Sequence, residues 1–168
     1  LFYSIPALVL KLLGAKIIIT IHGSDINKIK NSFILRSTLR CFDIILCVAN
    51  SQHIILKSFL SNKKLSIIGN GVDSQFYKPC KNYLNRPKII LAVGNLRWQK
   101  NHKLLIKSFE KVYKKNRCWK LVILGEGPER RNLESLISHY DLTKVVSLPG
   151  SLSVEETRNF MNKSMIFV

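Results

Sequence analysis

Short apolar runs recur along the 168-residue chain, and within each run the apolar side chains follow one another without alternating with polar ones. The runs fall at residues 15–21, 43–49 and 65–68 in the first part of the chain and at 88–93, 120–124, 144–148 and 165–168 in the second. Strands that helices cover on both faces of a parallel sheet have this unbroken pattern. We therefore predict seven strands in parallel sheets.

Segments with helical spacing of apolar residues separate the runs. Leu105, Phe109 and Val112 repeat at i, i+4 and i+7, which places them on one face of a helix. Ser153 and Glu156 form the pattern of a capping box, which predicts a helix that runs through residue 163. Further helices are predicted at residues 2–13 and 32–40, after Ser51 and Asn101 as capping residues, and after Pro128.

Strand and helix alternate in both parts of the chain, and this order defines the fold class. A strand, a helix and a parallel strand form a right-handed crossover, and repeated crossovers build a doubly wound α/β sheet. Between residues 73 and 87 the periodicity stops, and prolines and asparagines punctuate the chain. We predict two Rossmann-like parallel-sheet domains, at residues 1–73 and 87–168, joined by a linker at 74–86.

The composition is that of a globular protein and excludes two other classes. Hydrophobic residues make up 46% and charged residues 22%, a balance that excludes a disordered or fibrous protein. The most apolar stretch, residues 5–21, is interrupted by Lys11, Gly14 and Lys16, so it lacks the ~18 uninterrupted apolar residues that a membrane span needs. We expect no transmembrane helix.

The four cysteines, Cys41, Cys47, Cys80 and Cys118, lie far apart and form no CxxC pair. This spacing is typical of buried, reduced thiols in a cytosolic protein. Disulfide bonds and a zinc site are the alternatives.

The loops that follow the strands carry the candidate chemistry, because ligands of doubly wound sheets bind beyond the carboxyl ends of the strands. The first run ends at His22-Gly23-Ser24-Asp25. A tight turn at the glycine would present an imidazole and a carboxylate that grip or deprotonate a substrate hydroxyl. A purely structural histidine at this strand end is the alternative.

The loop after residues 88–93 combines cations with the start of a helix. It contains Gly94, Asn95, Arg97, Lys100 and Asn101. Two cations beside a helix N-terminus are suited to hold a diphosphate and to neutralise the charge on a departing phosphate. The alternative is a solvated basic loop.

The next strand is followed by Gly125-Glu126-Gly127-Pro128, which resembles half of a GxGxxG fingerprint. Arg130 stands where the third glycine would be, and no acidic residue closes the next strand. A plain tight turn is the alternative to a phosphate-binding loop.

Four segments together have the order and spacing of glycosyltransferase family 4, and the chain resembles this family over nearly its whole length. The segments are His22-Gly23-Ser24-Asp25, Asn70-Gly71-Val72-Asp73 with Phe76 and Pro79, Gly94-Asn95-Leu96 with Gln99-Lys100-Asn101-His102, and Gly125-Glu126-Gly127-Pro128-Glu129-Arg130 with Leu133-Glu134. The resemblance implies a GT-B fold, in which two Rossmann-like domains face a cleft. It also implies a metal-independent, retaining transferase that uses a nucleotide-diphosphate sugar, with the chain as an internal fragment.

The same resemblance implies roles for particular residues. His22 contacts the transferred sugar, and Lys100 lies at the donor diphosphate. The family's usual partner of that lysine is an arginine directly after the glycine, where this chain has Asn95. Arg97 either compensates for this change or faces solvent. The candidate catalytic residues are His22, Lys100 and Arg97, and the candidate substrate-binding residues are Gly23, Ser24, Asp25, Gly94, Asn95, Asn101, Gly125, Glu126 and Gly127; no metal or other cofactor is expected.

The charge is strongly basic and unevenly spread. The chain has 27 Lys and Arg against 10 Asp and Glu, a net charge of +17, and residues 97–120 hold nine cations and one acid. Lys103, Lys107, Lys111 and Lys114 recur at near-helical spacing and form a basic stripe. The stripe is either a solvated face or a surface for the anionic cytoplasmic leaflet. Nucleic acid is a more distant alternative, because no nucleic-acid-binding motif is visible.

We expect the parent protein to be a hexosyltransferase that acts on a hydroxyl of a glycan or lipid-linked acceptor, in cell-surface polysaccharide or glycolipid synthesis. The alternative is a non-catalytic basic module that binds nucleic acid or anionic membrane. The expected location is the cytoplasm, at the inner face of the membrane if the stripe binds lipid. The family's ribose-binding segment would follow residue 168, so we expect this fragment alone to be inactive.

Overall fold

The computed structural model describes residues 4–60, 64–79 and 85–168. The first part contains α1 (Ser4–Leu12), β1 (Ile18–Ile21), α2 (Gly23–Lys30), α3 (Phe33–Leu39), β2 (Ile44–Cys47), α4 (Asn50–Lys57) and β3 (Leu65–Ile67). The second contains β4 (Ile89–Val93), α5 (His102–Lys115), β5 (Lys120–Leu124), α6 (Arg130–His139), β6 (Val146–Gly150), α7 (Val154–Lys163) and β7 (Ile166–Phe167). The chain divides into two compact units, Leu1–Val72 and Asp73–Val168.

The first unit is built on a parallel sheet with the strand order β1-β2-β3. The unbroken apolar runs become its strands, because both faces need apolar side chains where helices cover them. The buried core draws on the sheet and on all three helices that follow β1; its members include Ile21, Ile29, Leu39, Ile45 and Leu56. The α/β architecture predicted from the sequence is confirmed in this unit.

One carboxylate joins the start of this sheet to the helix before it. The two oxygens of Asp43 accept hydrogen bonds from Lys11 Nζ at 2.6 Å and from the backbone N–H of Ile17 at 2.8 Å. The backbone N–H of Asp43 in turn donates to the carbonyl of Ile17 at 3.0 Å. The hydrogen bond from Lys11, followed by that from Ile17, lowers the pKa of Asp43 below its ordinary value.

The second unit is built on a parallel sheet with the order β6-β5-β4-β7. Alternate residues of its central strands enter different cores: Leu121 and Ile123 belong to one, and Val122 and Leu124 to the other. The first core contains side chains of α5 and α6, and the second is packed by side chains of α7. Helices on both faces make this a doubly wound sheet, as predicted.

The start of α7 also agrees with the prediction. Ser153 Oγ accepts a hydrogen bond from the backbone N–H of Glu156 at 3.2 Å, and the Glu156 carboxylate accepts one from the N–H of Ser153 at 2.9 Å. This capping box satisfies two backbone donors at the helix end. The helix ends at Lys163, where the sequence predicted it.

The segment after β1 differs from the expected loop. Gly23, Ser24 and Asp25 form the first turn of α2, a helix that the sequence analysis did not predict. Asp25 stabilises this start, because its carboxylate accepts a hydrogen bond from the backbone N–H of His22 at 3.1 Å. Ile26 and Ile29 then point into the core. The predicted tight turn at Gly23 is therefore wrong.

Two predicted capping residues do not cap their helices. α4 begins at Asn50, so Ser51 lies inside its first turn, and Ala49 occupies the cap position. Asn101 precedes α5 but has a left-handed backbone, with φ of 50°, and its side chain accepts no cap hydrogen bond. Asparagine tolerates this conformation, and here it lies between a single-turn 3-10 helix and α5.

The sixth strand lies two residues later than predicted, at Val146–Gly150. Pro149 therefore lies within the strand. A proline cannot donate a ladder hydrogen bond, but β6 is at the edge of the sheet, where a donor is dispensable. α6 likewise begins at Arg130, two residues after Pro128.

The first part of the predicted linker belongs to the second unit. Asp73 Oδ1 accepts hydrogen bonds from the backbone N–H groups of Gln75 and Phe76, which shapes a turn. The guanidinium of Arg158, on α7, lies over the ring of Phe76 at 4.5 Å. Residues 80–84 of the predicted linker lie outside the described residues.

The cysteines are only partly as predicted. Cys47 is buried, which raises the pKa of its thiol, whereas Cys41 and Cys118 are exposed. The three are free thiols, and Cys80 lies outside the described residues. None of the helices in the described ranges has the length and apolarity that a bilayer crossing requires.

Asp43→Asn tests the contribution of the carboxylate that joins α1 to the sheet. The pKa of Asp43 is lower in the folded state than its ordinary value of 3.8, so its stabilisation is complete above about pH 3.8 and is lost as the pH falls through the folded-state pKa. We expect the variant to be less stable than the parent at neutral pH, with a difference that shrinks in acid. Urea denaturation followed by circular dichroism at several pH values measures this.

The control is Asp141→Asn, which removes a carboxylate for which the described structure shows no ion pair. A stability difference at Asp43 that stayed constant from neutral pH into acid would contradict the role given to its charge.

Candidate functional site

The carboxyl ends of β4, β5 and β6 form one edge of the second sheet. Residues 94–101 are termed the β4 loop, and the N–H of its first residue, Gly94, donates a hydrogen bond to the carbonyl of Leu124 at 2.9 Å. Residues 125–129 are termed the β5 loop, and the N–H of its first residue, Gly125, donates to the carbonyl of Gly150 at 2.8 Å. The two loops therefore leave the sheet side by side, at the edge where doubly wound folds bind ligands.

Two glycines let the loops meet backbone to backbone. A Cβ on Gly125 would lie 2.1 Å from the carbonyl oxygen of Gly94, and one on Gly127 would lie 2.5 Å from that of Leu96. Gly125 also has a φ of 139°, which side chains of L-amino acids rarely adopt. Any other residue at these positions would push the β5 loop away from the β4 loop.

Leu96 is the point at which the two loops are hydrogen-bonded. Its backbone N–H donates to the carbonyl of Glu126 at 2.9 Å, and its carbonyl accepts from the N–H of Glu129 at 3.0 Å. The side chain of Leu96 is fully buried in the core beneath. The middle of the β4 loop is thus fixed both by the core and by the β5 loop.

The β4 loop ends in a 3-10 turn, Trp98–Lys100, which brings Lys100 back over the start of the loop. The N–H of Lys100 donates to the carbonyl of Arg97 at 3.0 Å, and Asn101 then reverses the chain with its left-handed backbone. A Cβ on Gly94 would lie 3.5 Å from Cε of Lys100 and 3.6 Å from its Cδ. The aliphatic stem of the lysine therefore lies along the glycine, and its exposed ammonium is held near the end of β4.

Arg97 and Lys100 do not line the same hollow. Arg97 borders a hollow of about 160 Å³ together with Lys103 and Glu129. Lys100 borders an adjoining hollow of about 570 Å³, which shares Asn101 and His102 with the first and whose wall includes Val93 at the end of β4. Lys103 forms an ion pair with Glu129 at 2.7 Å, so the hollow beside Arg97 already contains a paired cation and anion.

His102 belongs to one of the family-like segments but was not among the predicted site residues, and it is a buried polar residue. It is the first residue of α5 and is only 6% exposed. Burial lowers the pKa of His102 below its ordinary value, although hydrogen bonding to the backbone of Asn95 acts in the opposite direction. Its Nε2 atom is buried and has no hydrogen-bond partner within the described structure. The spacing alone gave no sign that this side chain turns inward toward the β4 loop.

The carboxylate of Glu126 is already engaged by an arginine. Arg130 Nε donates to Glu126 Oε2 at 2.9 Å, and Arg130 Nη2 donates to Glu126 Oε1 at 2.7 Å. Arg130 also reaches Glu134 Oε1 at 2.8 Å and the carbonyl of Leu148 at 3.0 Å. The hydrogen bond from Arg130 lowers the pKa of Glu126 and raises that of the guanidinium.

The remaining predicted residues lie at the carboxyl edge of the first sheet, in the first unit. His22 and Gly23 follow directly after β1 and are exposed, as is Ser24, whereas Asp25 is half-buried. The imidazole and the carboxylate are thus at a strand end, as expected, but the carboxylate also stabilises the helix start.

A second polar side chain lies at this edge and was missed. Gln52, in the first turn of α4, is 8% exposed, and its Oε1 accepts a hydrogen bond from the backbone N–H of Val48 at 3.1 Å. Its Nε2 lies 3.8 Å from where a Cβ on Gly23 would be. A buried amide beside the candidate glycine is not visible in the sequence, where Gln52 reads as an ordinary helical residue.

Within the described ranges, no three His, Cys, Asp or Glu side chains come together in a way that would hold a metal ion. The positive charge at the candidate site of the second unit comes from Lys100 and Arg97 of the β4 loop.

Comparison with known families decides the class of the protein. The sequence profile described as "Glycosyl transferases group 1" matches residues 73–168, more than half of the chain. The chain belongs to the group 1 glycosyl transferases. The matched region contains both loops of the second unit, and the resemblance stated from the sequence motifs is confirmed.

Relatives among characterised proteins also match the first unit of this group 1 glycosyl transferase. The GPI3 subunit of the phosphatidylinositol N-acetylglucosaminyltransferase of Saccharomyces cerevisiae is 27% identical over 169 residues, which cover 93% of this chain and 37% of the relative. A Campylobacter jejuni diphospho-undecaprenol 4-alpha-N-acetylgalactosaminyltransferase is 31% identical over 131 residues, covering 76% of this chain and 35% of that protein. The chain thus spans about a third of the length of these relatives.

Solved structures share the fold. The sucrose-phosphate synthase of Thermosynechococcus elongatus aligns with a TM-score of 0.72 at 18% identity, over 89% of this chain and 43% of that one. A mutant of S. aureus TarM, in complex with Fondaparinux, alpha-GlcNAc-glycerol and UDP, aligns with a TM-score of 0.64 at 21% identity, over 73% of this chain and 24% of that one. The group 1 glycosyl transferase chain has the GT-B type of α/β fold, as predicted.

Gly127→Ala tests the backbone contact between the loops. The added methyl group would collide with the carbonyl of Leu96, so we expect the second unit to lose about 1–3 kcal/mol of stability, or roughly 4–8 °C in Tm per kcal/mol. Gly94→Ala is the control, because its methyl group would meet only the flexible end of Lys100. Thermal unfolding measures both, and equal Tm values for the two variants would contradict the contact.

Proposed function

We propose that the full-length protein transfers a hexosyl unit from a nucleotide-diphosphate sugar to a hydroxyl acceptor with retention of configuration. Family membership supports the reaction class. The observation that carries the proposal to a site is the position of Lys100, whose stem lies along Gly94 at the carboxyl end of β4. The β4 loop, residues 94–101, would bind the donor diphosphate.

The chemistry requires charge neutralisation at the leaving group. When the sugar departs, negative charge develops on the diphosphate, and a preorganised cation stabilises that charge more in the transition state than in the ground state. Lys100 supplies such a cation without a metal, because its stem is held by the glycine and the 3-10 turn. The N-terminus of α5 follows this loop directly and adds the positive end of a helix dipole.

We assign the diphosphate to Lys100 rather than to Arg97. Arg97 borders a different hollow, beside the ion pair of Lys103 and Glu129. The resemblance expects a second cation where this chain has Asn95, and the position of Arg97 supports no direct replacement. The side chains of Asn95 and Asn101, with the backbone of the β4 loop, would then provide neutral hydrogen bonds to the donor.

In the first unit, His22 and the first turn of α2 are proposed to serve the transferred sugar and the acceptor. His22, Gly23 and Ser24 are exposed at the end of β1, and Asp25 fixes the turn that presents them. A single imidazole there is suited to donate or accept a hydrogen bond with a sugar hydroxyl.

The relatives indicate which donors and acceptors to test first. The yeast protein is named for a phosphatidylinositol N-acetylglucosaminyltransferase, the Campylobacter protein for transfer of N-acetylgalactosamine to a diphospho-undecaprenol-linked sugar, and the TarM complex contains UDP. We propose UDP-linked N-acetylhexosamines as first donors, and a glycan or lipid-linked hydroxyl as acceptor, in polysaccharide or glycolipid synthesis at the cytoplasmic face of the membrane.

Part of the basic stripe on α5 is suited to bind an anionic membrane. Lys103 and Lys114 are paired with Glu129 and Glu110. Lys107, Lys111 and Lys115 are exposed, and the ion pairs found among the described residues do not involve them. These three lysines are termed the α5 basic face. Each lysine near an anionic lipid surface contributes about 1 kcal/mol, so this face would help to hold the enzyme beside a lipid-linked acceptor.

Lys100→Ala in the full-length protein tests the diphosphate assignment. Loss of one preorganised charge is expected to lower kcat by roughly 10²- to 10³-fold, whereas Arg97→Ala should lower it by less than about tenfold, since a rim cation contributes about 1 kcal/mol or less. Initial rates with a panel of nucleotide sugars measure this, with Arg131→Ala as a control that removes an exposed cation from α6. Unchanged turnover in Lys100→Ala would exclude the assignment, and an equal loss in Arg97→Ala would show that Arg97 compensates for Asn95 and acts on the diphosphate together with Lys100.

The double variant Lys107→Gln/Lys111→Gln tests the α5 basic face. Two lysines at about 1 kcal/mol each correspond to about 30-fold weaker binding to vesicles containing phosphatidylglycerol, with little binding of either protein to neutral phosphatidylcholine. Vesicle flotation at two salt concentrations measures this, and Lys28→Gln/Lys30→Gln is the charge-matched control on the first unit. Equal losses in the two double variants would assign binding to the overall charge of +17 rather than to α5.

A further inference from the structure

Arg130 connects three elements at the candidate site without being placed to bind an anion. Its guanidinium donates to both oxygens of Glu126, to Glu134 Oε1 and to the carbonyl of Leu148. The contacts therefore join the β5 loop, α6 and β6. An arginine carries five N–H donors, and four of them are used here.

The charge around this arginine also argues against a direct role toward phosphate. Two carboxylates, those of Glu126 and Glu134, lie within hydrogen-bond distance of its nitrogens. The group of three side chains has a net charge of −1 and offers no attraction to a diphosphate. Arg130 can therefore affect ligand binding only indirectly, through the positions of the residues to which it is hydrogen-bonded.

Glu126, which Arg130 binds through two hydrogen bonds, is itself hydrogen-bonded to the β4 loop. Both carboxylate oxygens of Glu126 are bound by the guanidinium, a fork that fixes orientation as well as distance. The backbone carbonyl of the same Glu126 accepts the N–H of Leu96, at the centre of the β4 loop. Because Gly127 packs against Leu96 with no side chain between them, a shift of the β5 loop moves the β4 loop as well.

We propose that Arg130 is a positioning residue, which sets the β4 loop and its Lys100 for the donor by holding Glu126. The identity of the ligand that the β4 loop binds rests on the proposed function. The link from Arg130 through Glu126 to Leu96 is observed in the structure and does not depend on that ligand. Glu126 is then a structural intermediary whose carboxylate is occupied, and not a ligand of the donor.

Four substitutions in the full-length protein separate positioning from a general loss of stability. Arg130→Met and Glu126→Gln both weaken the fork. Arg131→Met removes the same charge from the neighbouring, exposed arginine, and Glu134→Gln removes a carboxylate that binds the same guanidinium from within α6. The second pair are matched controls, because they leave the link between the β5 loop and Arg130 in place.

The kinetic result expected is a slower reaction of the bound donor. Misplacement of a binding group by about 1 Å costs up to about 10²-fold, so donor kcat/KM should fall roughly 10- to 100-fold in Arg130→Met and Glu126→Gln. The loss should appear mainly in kcat, because Lys100 acts on charge that develops in the transition state, and the acceptor KM should stay unchanged. Both controls should stay within about twofold of the parent. If donor kcat/KM in Arg130→Met stays within about twofold of the parent, or if the rate falls only in proportion to the fraction of folded enzyme, Arg130 does not position the β4 loop and the proposal is overturned.

Hydrogen exchange tests the same link independently of activity. The amide of Leu96 donates to Glu126, so its protection should fall about tenfold or more in Arg130→Met while the amide of Val122, in the centre of β5, keeps its protection. Arg130→Lys, which keeps a cation but not the fork, should give an intermediate value and covers the case in which the Met variant does not fold. Unchanged protection of Leu96 would overturn the proposal. Absence of sugar transfer by the parent protein would instead overturn the proposed function and leave the exchange result to decide the link.

Discussion

The close approach of two loop backbones at the carboxyl edge of the second sheet is the constraint on which the candidate site depends. Gly125 and Gly127 permit this approach, because a Cβ at either position would lie within 2.5 Å of a carbonyl oxygen of the β4 loop. The hydrogen bonds of Leu96 are formed only at that separation. Glycine is thus needed here for the space it leaves, as well as for its backbone conformation at Gly125.

From this contact the positions of the charged side chains follow. The fixed centre of the β4 loop leaves few residues before α5, and the 3-10 turn with Asn101 uses them to bring Lys100 back over Gly94. Arg97 borders a different hollow from Lys100, beside the ion pair of Lys103 and Glu129. Two cations three residues apart in sequence therefore face different surroundings, which is why counting basic residues in a loop does not identify the one that meets an anion.

The correct predictions from the sequence concern features that depend on a periodic pattern or on residues close together in the chain. Unbroken apolar runs predicted the strands, since burial on both faces leaves no polar alternation, and the capping box at Ser153 depends only on residues three apart. The errors arose where a neighbour in space decides the outcome. Pro149 is tolerated in β6 because that strand is at the edge of the sheet. The order of the strands depends on how the whole unit folds and cannot be predicted from the sequence of one segment.

The same division applies to the candidate site. Its glycines and Lys100 were identified from motif spacing, because the family pattern is a pattern in sequence. The inward turn of His102, the buried amide of Gln52 and the fork between Arg130 and Glu126 were not, because each depends on which side chain meets which after folding.

Several acidic residues of this basic chain lie beside the candidate site, where they form ion pairs with some of its cations. Of the ten Asp and Glu, Glu126, Glu129 and Glu134 lie together at or beside the β5 loop, where they bind Arg130 and Lys103. Pairing removes these two cations from competition for an anion and uses them as structural contacts. Lys100 and Arg97 are left without an ion pair within the described structure, so they supply the positive field at this edge. Of these two cations, Lys100 is the one whose stem lies along the backbone at Gly94.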